Sequence, residues 1–217
     1  MNWINWSMNI LLHLDKYLSV IIQNYGIGTY LLLFLIIFGE TGLVVTPFLP
    51  GDSILFTAGA FAAIGSLDIK LLLLVVSIAA VLGDTVNYTI GKSIGHKIYE
   101  IENVKFIKKE HLLKARAFYE KYGAMTIIIA RFIPVIRTFA PFVAGIGEMS
   151  YTKFITYNIV GAVSWAALVT LMGFYFGNLP AVKSNFALVI LAIIVISIMP
   201  ALFEFTKQKL KMMEKKA

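Results

Sequence analysis

Cysteine is absent from the 217 residues, which excludes disulfides, cysteine nucleophiles and thiolate metal sites. Histidine is scarce. Its three copies, His13, His96 and His111, fall in surface segments, leaving the apolar stretches without a histidine nucleophile or base. Neither a metal cluster nor a Gly-rich phosphate loop is found, so an intramembrane enzyme is not expected, nor a metal or cofactor. Charge is the third scarcity. Asp, Glu, Lys and Arg make up 14% of the chain, against about 25% in soluble domains. Hydrophobic residues reach 59% and the mean hydropathy is +0.82. The chain therefore reads as an integral membrane protein, with no nucleic-acid partner.

At roughly 20 apolar residues per crossing helix, the length suits one membrane domain of a few helices, and no second folded domain is expected outside the bilayer. A cleavable signal peptide is not expected either, because Met1 to Asn9 lacks a basic segment and no small-residue cleavage site follows. Three apolar runs, 69–91, 154–177 and 186–203, are long enough to cross a membrane as helices. Two more are interrupted. Residues 27–65 contain Gly39, Gly42, Pro47, Pro50 and Gly51, and residues 124–148 contain Pro134, Pro141, Gly145 and Gly147. Proline removes a helix hydrogen bond and clashes with the preceding turn, and irregular backbone at membrane depth is tolerated only where protein or a water-filled cavity surrounds it. Both regions are expected to be re-entrant hairpins, with breaks at Pro47, Pro50 and Gly51 in the first and at Pro134, Pro141 and Gly145 in the second.

Basic residues orient this arrangement. Eight of the 19 lie between Lys92 and Lys121 and five between Lys207 and Lys216, so both segments, including the 206–217 tail, are expected in the cytoplasm. Residues 1–24 carry Trp3, Trp6, Ile10, Leu14, Leu18 and Ile21 at helical spacing among polar residues, which predicts an interfacial amphipathic helix preceding a membrane domain over 25–205. A tilted crossing helix is the rival reading. Residues 110–122 suit a helix lying on anionic headgroups or a solvated one. The halves also resemble each other. Pro-Phe-x-x-Gly occurs at Pro47 to Gly51 and at Pro141 to Gly145, and an offset of 82 relates Gly65 to Gly147, Gly91 to Gly173 and Gly95 to Gly177. The fold expected is thus all-α, an inverted repeat of re-entrant hairpin plus transmembrane helix with a further C-terminal span. Transporters of this type hold their sites where discontinuous helices meet.

Apart from Glu148 at the far end of the second region, four charges fall inside the broken regions: Glu40, Asp52, Arg131 and Arg137. Each costs on the order of 2.5–3.5 kcal/mol at the bilayer centre by insertion scales, so opposite signs are expected to pair. Structural bridging is one reading. The other is a polar cavity in which arginine forks bind phosphate and a carboxylate exchanges a proton, since burial favours its neutral form and a neighbouring arginine its charged form. Asp84 is a possible third member of the polar path or a helix-packing hydrogen bond. Gly91-x-x-x-Gly95 and Gly173-x-x-x-Gly177 are read as close helix contacts, Glu148 as a cap near the surface, and the Asn87-Tyr88-Thr89 sequon as chance.

Glu40 with Pro47-Phe48-Leu49-Pro50-Gly51-Asp52, Gly83-Asp84 with Tyr88, Gly91 and Gly95, and Arg131-Phe132-Ile133-Pro134-Val135-Ile136-Arg137 followed by Pro141 and Gly145 resemble the successive motifs of the DedA family, also described as the SNARE-associated or VTT-domain superfamily. The resemblance covers about Tyr25 to Gly177. It implies a multi-pass protein of the bacterial cytoplasmic membrane that returns undecaprenyl phosphate across the bilayer in a proton-dependent way, with the matching acids and arginines as its functional residues. On that expectation Arg131 and Arg137 bind the phosphate of a polyprenyl phosphate or other anionic lipid, and Glu40 and Asp52 couple to protons. A proton-coupled carrier of a small ion or solute is the alternative.

Overall fold

Glycine or proline adjoins most of the described helix ends, and the apolar runs between those ends are helical. The structure is a computed structural model that describes residues 14–42, 51–100, 119, 121–185, 188–189 and 191–193. Its helices are α1 (Leu14–Tyr25), α2 (Gly28–Gly42), α3 (Gly51–Ala63), α4 (Ile69–Glu100), α5 (Met125–Arg131), α6 (Pro134–Ile146), α7 (Tyr151–Phe176) and α8 (Pro180–Ser184). No strand occurs among the described residues. Pro47, Pro50, residues 110–118, the 206–217 tail, residues 1–13 and most of the expected 186–203 span lie outside them.

Helices α4 and α7 are long and apolar enough to cross a membrane, over Ile69–Gly95 and Tyr151–Phe176. At about 1.5 Å per residue each exceeds the roughly 30 Å hydrocarbon core. Their polarity is that of a membrane helix. Leu71, Leu74, Ile78, Leu82, Val86 and Ile90 form one exposed apolar stripe on α4, while Asp84 and Asn87 lie on its buried face. Helix α7 exposes Ile159, Val160, Val163, Leu168 and Met172 and buries Asn158, Trp165 and Thr170. In water this distribution would be reversed.

The expected span over 69–91 is longer than its apolar run, because α4 continues to Glu100. Gly91 does not end it; the missing side chain admits α6. A Cβ on Gly91 would lie 2.9 Å from the carbonyl carbon of Phe142, and one on Gly173 of α7 would lie 2.7 Å from that of Phe56 in α3. Each long helix thus carries, at equivalent glycines, the second arm of the other half: α4 packs mainly against α6 and α2, and α7 mainly against α3, then against α4 and α5. The glycine pairs act as packing sites, as their spacing suggests. Gly173→Leu should therefore destabilise the protein by roughly 1–3 kcal/mol, lowering the Tm measured in nanodiscs. Gly39→Ala, where a Cβ meets nothing within 4 Å, should leave Tm equal or higher.

Of the three positions expected to break the second region, Pro134 does so and Pro141 and Gly145 do not. Helix α5 ends at Arg131, and Ile133 is extended (φ −116°, ψ 103°) ahead of Pro134, the first residue of α6, as steric conflict with a following proline requires. Pro141 lies inside α6, and Gly145 lies near its end, against the backbone of Tyr88 and Lys92. Neither is a break. The Pro-Phe-x-x-Gly match consequently joins non-equivalent places: Gly51 starts α3, whereas Gly145 closes α6. Beyond α6, Glu148 is exposed and left-handed (φ 56°), and the Met149 amide donates to the Ala144 carbonyl at 3.0 Å. Glu148 thus ends the helix through its backbone. The Asn87 amide is buried and donates to the carbonyls of Thr41 (3.2 Å) and Thr138 (2.6 Å), which ties α2 and α6 to α4 and removes it as a glycan acceptor.

Candidate functional site

The ends of the broken helices converge on α4 and α7. Glu40 lies in the last turn of α2, Asp52 in the first turn of α3, Arg131 at the end of α5 and Arg137 in the first turn of α6. Asp52 and Arg131 sit where the helix dipole favours their charge, but Glu40 and Arg137 sit at the unfavourable ends, each by about 0.3–1 kcal/mol. Those two pair with each other. Arg137 Nη2 donates to Glu40 Oε1, and Nη1 donates to Asp52 Oδ1 at 2.8 Å. Arg131 turns to other partners: its Nη1 donates to Asp84 Oδ2 and to Asn158 Oδ1, the latter at 3.1 Å. Asn158 is fixed in turn by donating to the Val81 carbonyl at 3.1 Å.

Trp165 joins the ion pairs of the two arginines. Its indole N–H donates to Asp52 Oδ1 at 2.9 Å, and the guanidinium carbons of Arg131 and Arg137 lie 5.5 and 5.0 Å from its ring centroid, within cation–π range. The cluster is almost sealed. Glu40 is 0% exposed, Asp84 3%, Arg131 4% and Arg137 7%, while the Asp52 side chain, at 16%, is the most accessible. Three carboxylates face two guanidiniums, so with every group ionised one negative charge is in excess. Arg131 Nε and Nη2, Arg137 Nε and Glu40 Oε2 meet no partner among the described residues. No group of His, Asp and Glu suited to a metal ion occurs among them either.

Glu40 is held from behind by Gly51. A Cβ there would stand 2.6 Å from the Glu40 carboxyl carbon, so any side chain at 51 would push the carboxylate off Arg137. Glycine is needed here for close approach and not for a turn.

All four charges singled out in the sequence come together, and the pairing that spacing left open is Arg137 with both Glu40 and Asp52. Asp84, left between two roles, is Arg131's partner. Sequence reading overlooked Asn158 and Trp165. Their seven-residue spacing, two turns on one face of α7, was the available signal. Trp165→Phe should keep the aromatic face but remove the donor to Asp52, costing about 1–3 kcal/mol. Trp165→Leu should cost more by losing the cation–π contacts as well. Thermal denaturation in nanodiscs measures both.

Comparison with known proteins identifies the family. A family model described as the VTT domain matches residues 49–175. Protein DedA of Escherichia coli K12 is 48% identical over 211 residues, 96% of this chain and 96% of that protein. An uncharacterized membrane protein of Mycobacterium tuberculosis is 46% identical over 170 residues, covering 77% of this chain and 74% of its own length. The inner membrane protein YqjA of Escherichia coli K12 is 30% identical over 151 residues, 70% of this chain and 69% of that protein. No solved structure matches the chain. The match to the VTT domain across more than half of the sequence, together with identity to DedA over nearly all of it, places the protein in the DedA family of membrane proteins.

Proposed function

We propose that the protein moves a lipid-linked phosphate, undecaprenyl phosphate by family resemblance, across the bacterial cytoplasmic membrane in a way coupled to protons. The observation that carries this reading is Arg137 held between Glu40 and Asp52, one arm of each broken pair meeting the other, with a second buried arginine alongside. In this reading the pairs α2–α3 and α5–α6 are re-entrant hairpins, each followed by a crossing helix, and the halves are inverted with respect to one another. The exchanged packing of α4 and α7 supports that symmetry. Residues 92–121 and the C-terminus are cytoplasmic in this arrangement.

Charge balance supplies the coupling. An anionic headgroup beside the arginines draws on their positive charge, and a carboxylate left less compensated in a dry site takes up a proton. The loaded site then carries less charge past the apolar barrier. An isoprenoid tail remains in lipid throughout and does not enter the site. Purified protein in liposomes tests this directly, with labelled polyprenyl phosphate compared with small anions under an imposed pH gradient. Gradient-driven movement of the lipid is the expected result. Movement of small anions alone would assign the site to an ion carrier.

A further inference from the structure

The two arginines are not equivalent. Arg137 commits both terminal nitrogens to carboxylates, Nη1 to Asp52 and Nη2 to Glu40. Arg131 commits Nη1 alone, to Asp84 and Asn158. Its Nε and Nη2 are buried and meet no acceptor among the described residues. In a guanidinium those two N–H groups leave from the same edge, the parallel pair that takes two oxygens of one phosphate or carboxylate. A buried charged donor without an acceptor is costly, so this edge is where an added acceptor gains most.

The edge is also held in place. Asp84, 3% exposed on α4, and Asn158, anchored on the Val81 carbonyl of the same helix, fix the opposite end of the guanidinium, and the Trp165 ring lies 5.5 Å from its carbon. Arg131 cannot turn the edge away without breaking the Asp84 pair. An anion arriving there displaces no existing partner, whereas one arriving at the Arg137 terminal nitrogens must displace Glu40 or Asp52.

We propose that the anion is read by the Nε–Nη2 edge of Arg131, with Asp84 and Asn158 as positioning residues, and that Arg137 is the lock through which Glu40 and Asp52 respond to binding. This rests on the phosphate reading above and divides its labour. The ligand class is a terminal phosphate anion, whether a lipid headgroup or free phosphate. The charged groups around the Arg137 lock are Glu40, Asp52, Asp84 and Arg131.

Trp165 provides the readout. The chain has three tryptophans, and Trp3→Phe with Trp6→Phe leaves Trp165 alone. In nanodiscs of zwitterionic lipid, this background is titrated with farnesyl phosphate, inorganic phosphate and, as neutral control, farnesol. A saturable change in Trp165 emission with a phosphate and none with farnesol is expected. Preference for farnesyl phosphate identifies a lipid headgroup, and equal response to inorganic phosphate identifies free phosphate; both support the Arg131 edge. Arg131→Lys should weaken binding at least tenfold. Asn158→Ala, which keeps all five charges, should weaken it several-fold without altering its pH dependence. Arg137→Lys should act chiefly on that pH dependence. Equal loss of affinity at both arginines, or no effect of Asn158→Ala, overturns the division of labour alone. No saturable response to either phosphate in the background protein overturns the phosphate reading and the proposal with it.

Discussion

Glu40→Gln is expected to fold, to bind its phosphate ligand, and to move it at a rate indifferent to the pH gradient. The substitution keeps the size of the side chain and an oxygen to accept from Arg137, and it removes one negative charge from a cluster that has one in excess. Two carboxylates then balance two guanidiniums, and the fully buried carboxylate assigned to take up the proton when the ligand arrives is gone. In the unsubstituted protein affinity depends on pH. Uptake of one proton on binding makes affinity fall as pH rises, by about tenfold per pH unit across the window in which that proton is taken up. A plot of log affinity against pH should slope in the unsubstituted protein and run flat in Glu40→Gln. Asp52→Asn should flatten it less completely, because Asp52 is the most accessible acid and is also held by Trp165. Full pH coupling in both variants would show that the carboxylates only brace the structure.

Asp84→Leu is the second large effect. It leaves Arg131 charged, buried and without its carboxylate, a loss of about 3–5 kcal/mol for a broken buried pair, enough to unfold a marginally stable protein. Removing both charges in Asp84→Leu with Arg131→Leu should recover most of that stability, since apolar replacement of a whole buried pair is often neutral or better. It should not recover transport. Yield and Tm in nanodiscs read the first quantity and liposome flux the second. A double variant that folds and transports would remove Arg131 from the site.

The candidate charges were legible because ionised groups in apolar stretches are costly and hence conspicuous: Glu40, Asp52, Arg131 and Arg137 stand out in a chain with 14% charged residues. Their pairing was not legible, since each comes from a different helix and no spacing rule crosses elements. Trp165 escaped because a tryptophan in a span reads as one more apolar side chain until its N–H is found on a carboxylate. The correspondence of Gly91 with Gly173 was legible, since small residues at equal offsets in two long helices mark a contact both halves repeat. The match between Pro141 and Pro47 misled. A membrane helix tolerates an internal proline, as α6 does, and the break is set by Pro134 acting on Ile133.

Proton uptake on binding tests the central claim most directly. Purified protein in weakly buffered detergent solution, with a pH indicator, is mixed with a saturating polyprenyl phosphate, and the protons taken up are counted against ligand bound. The account predicts about one proton per ligand in the unsubstituted protein and none in Glu40→Gln. Binding without uptake, or the same uptake in Glu40→Gln, would contradict it.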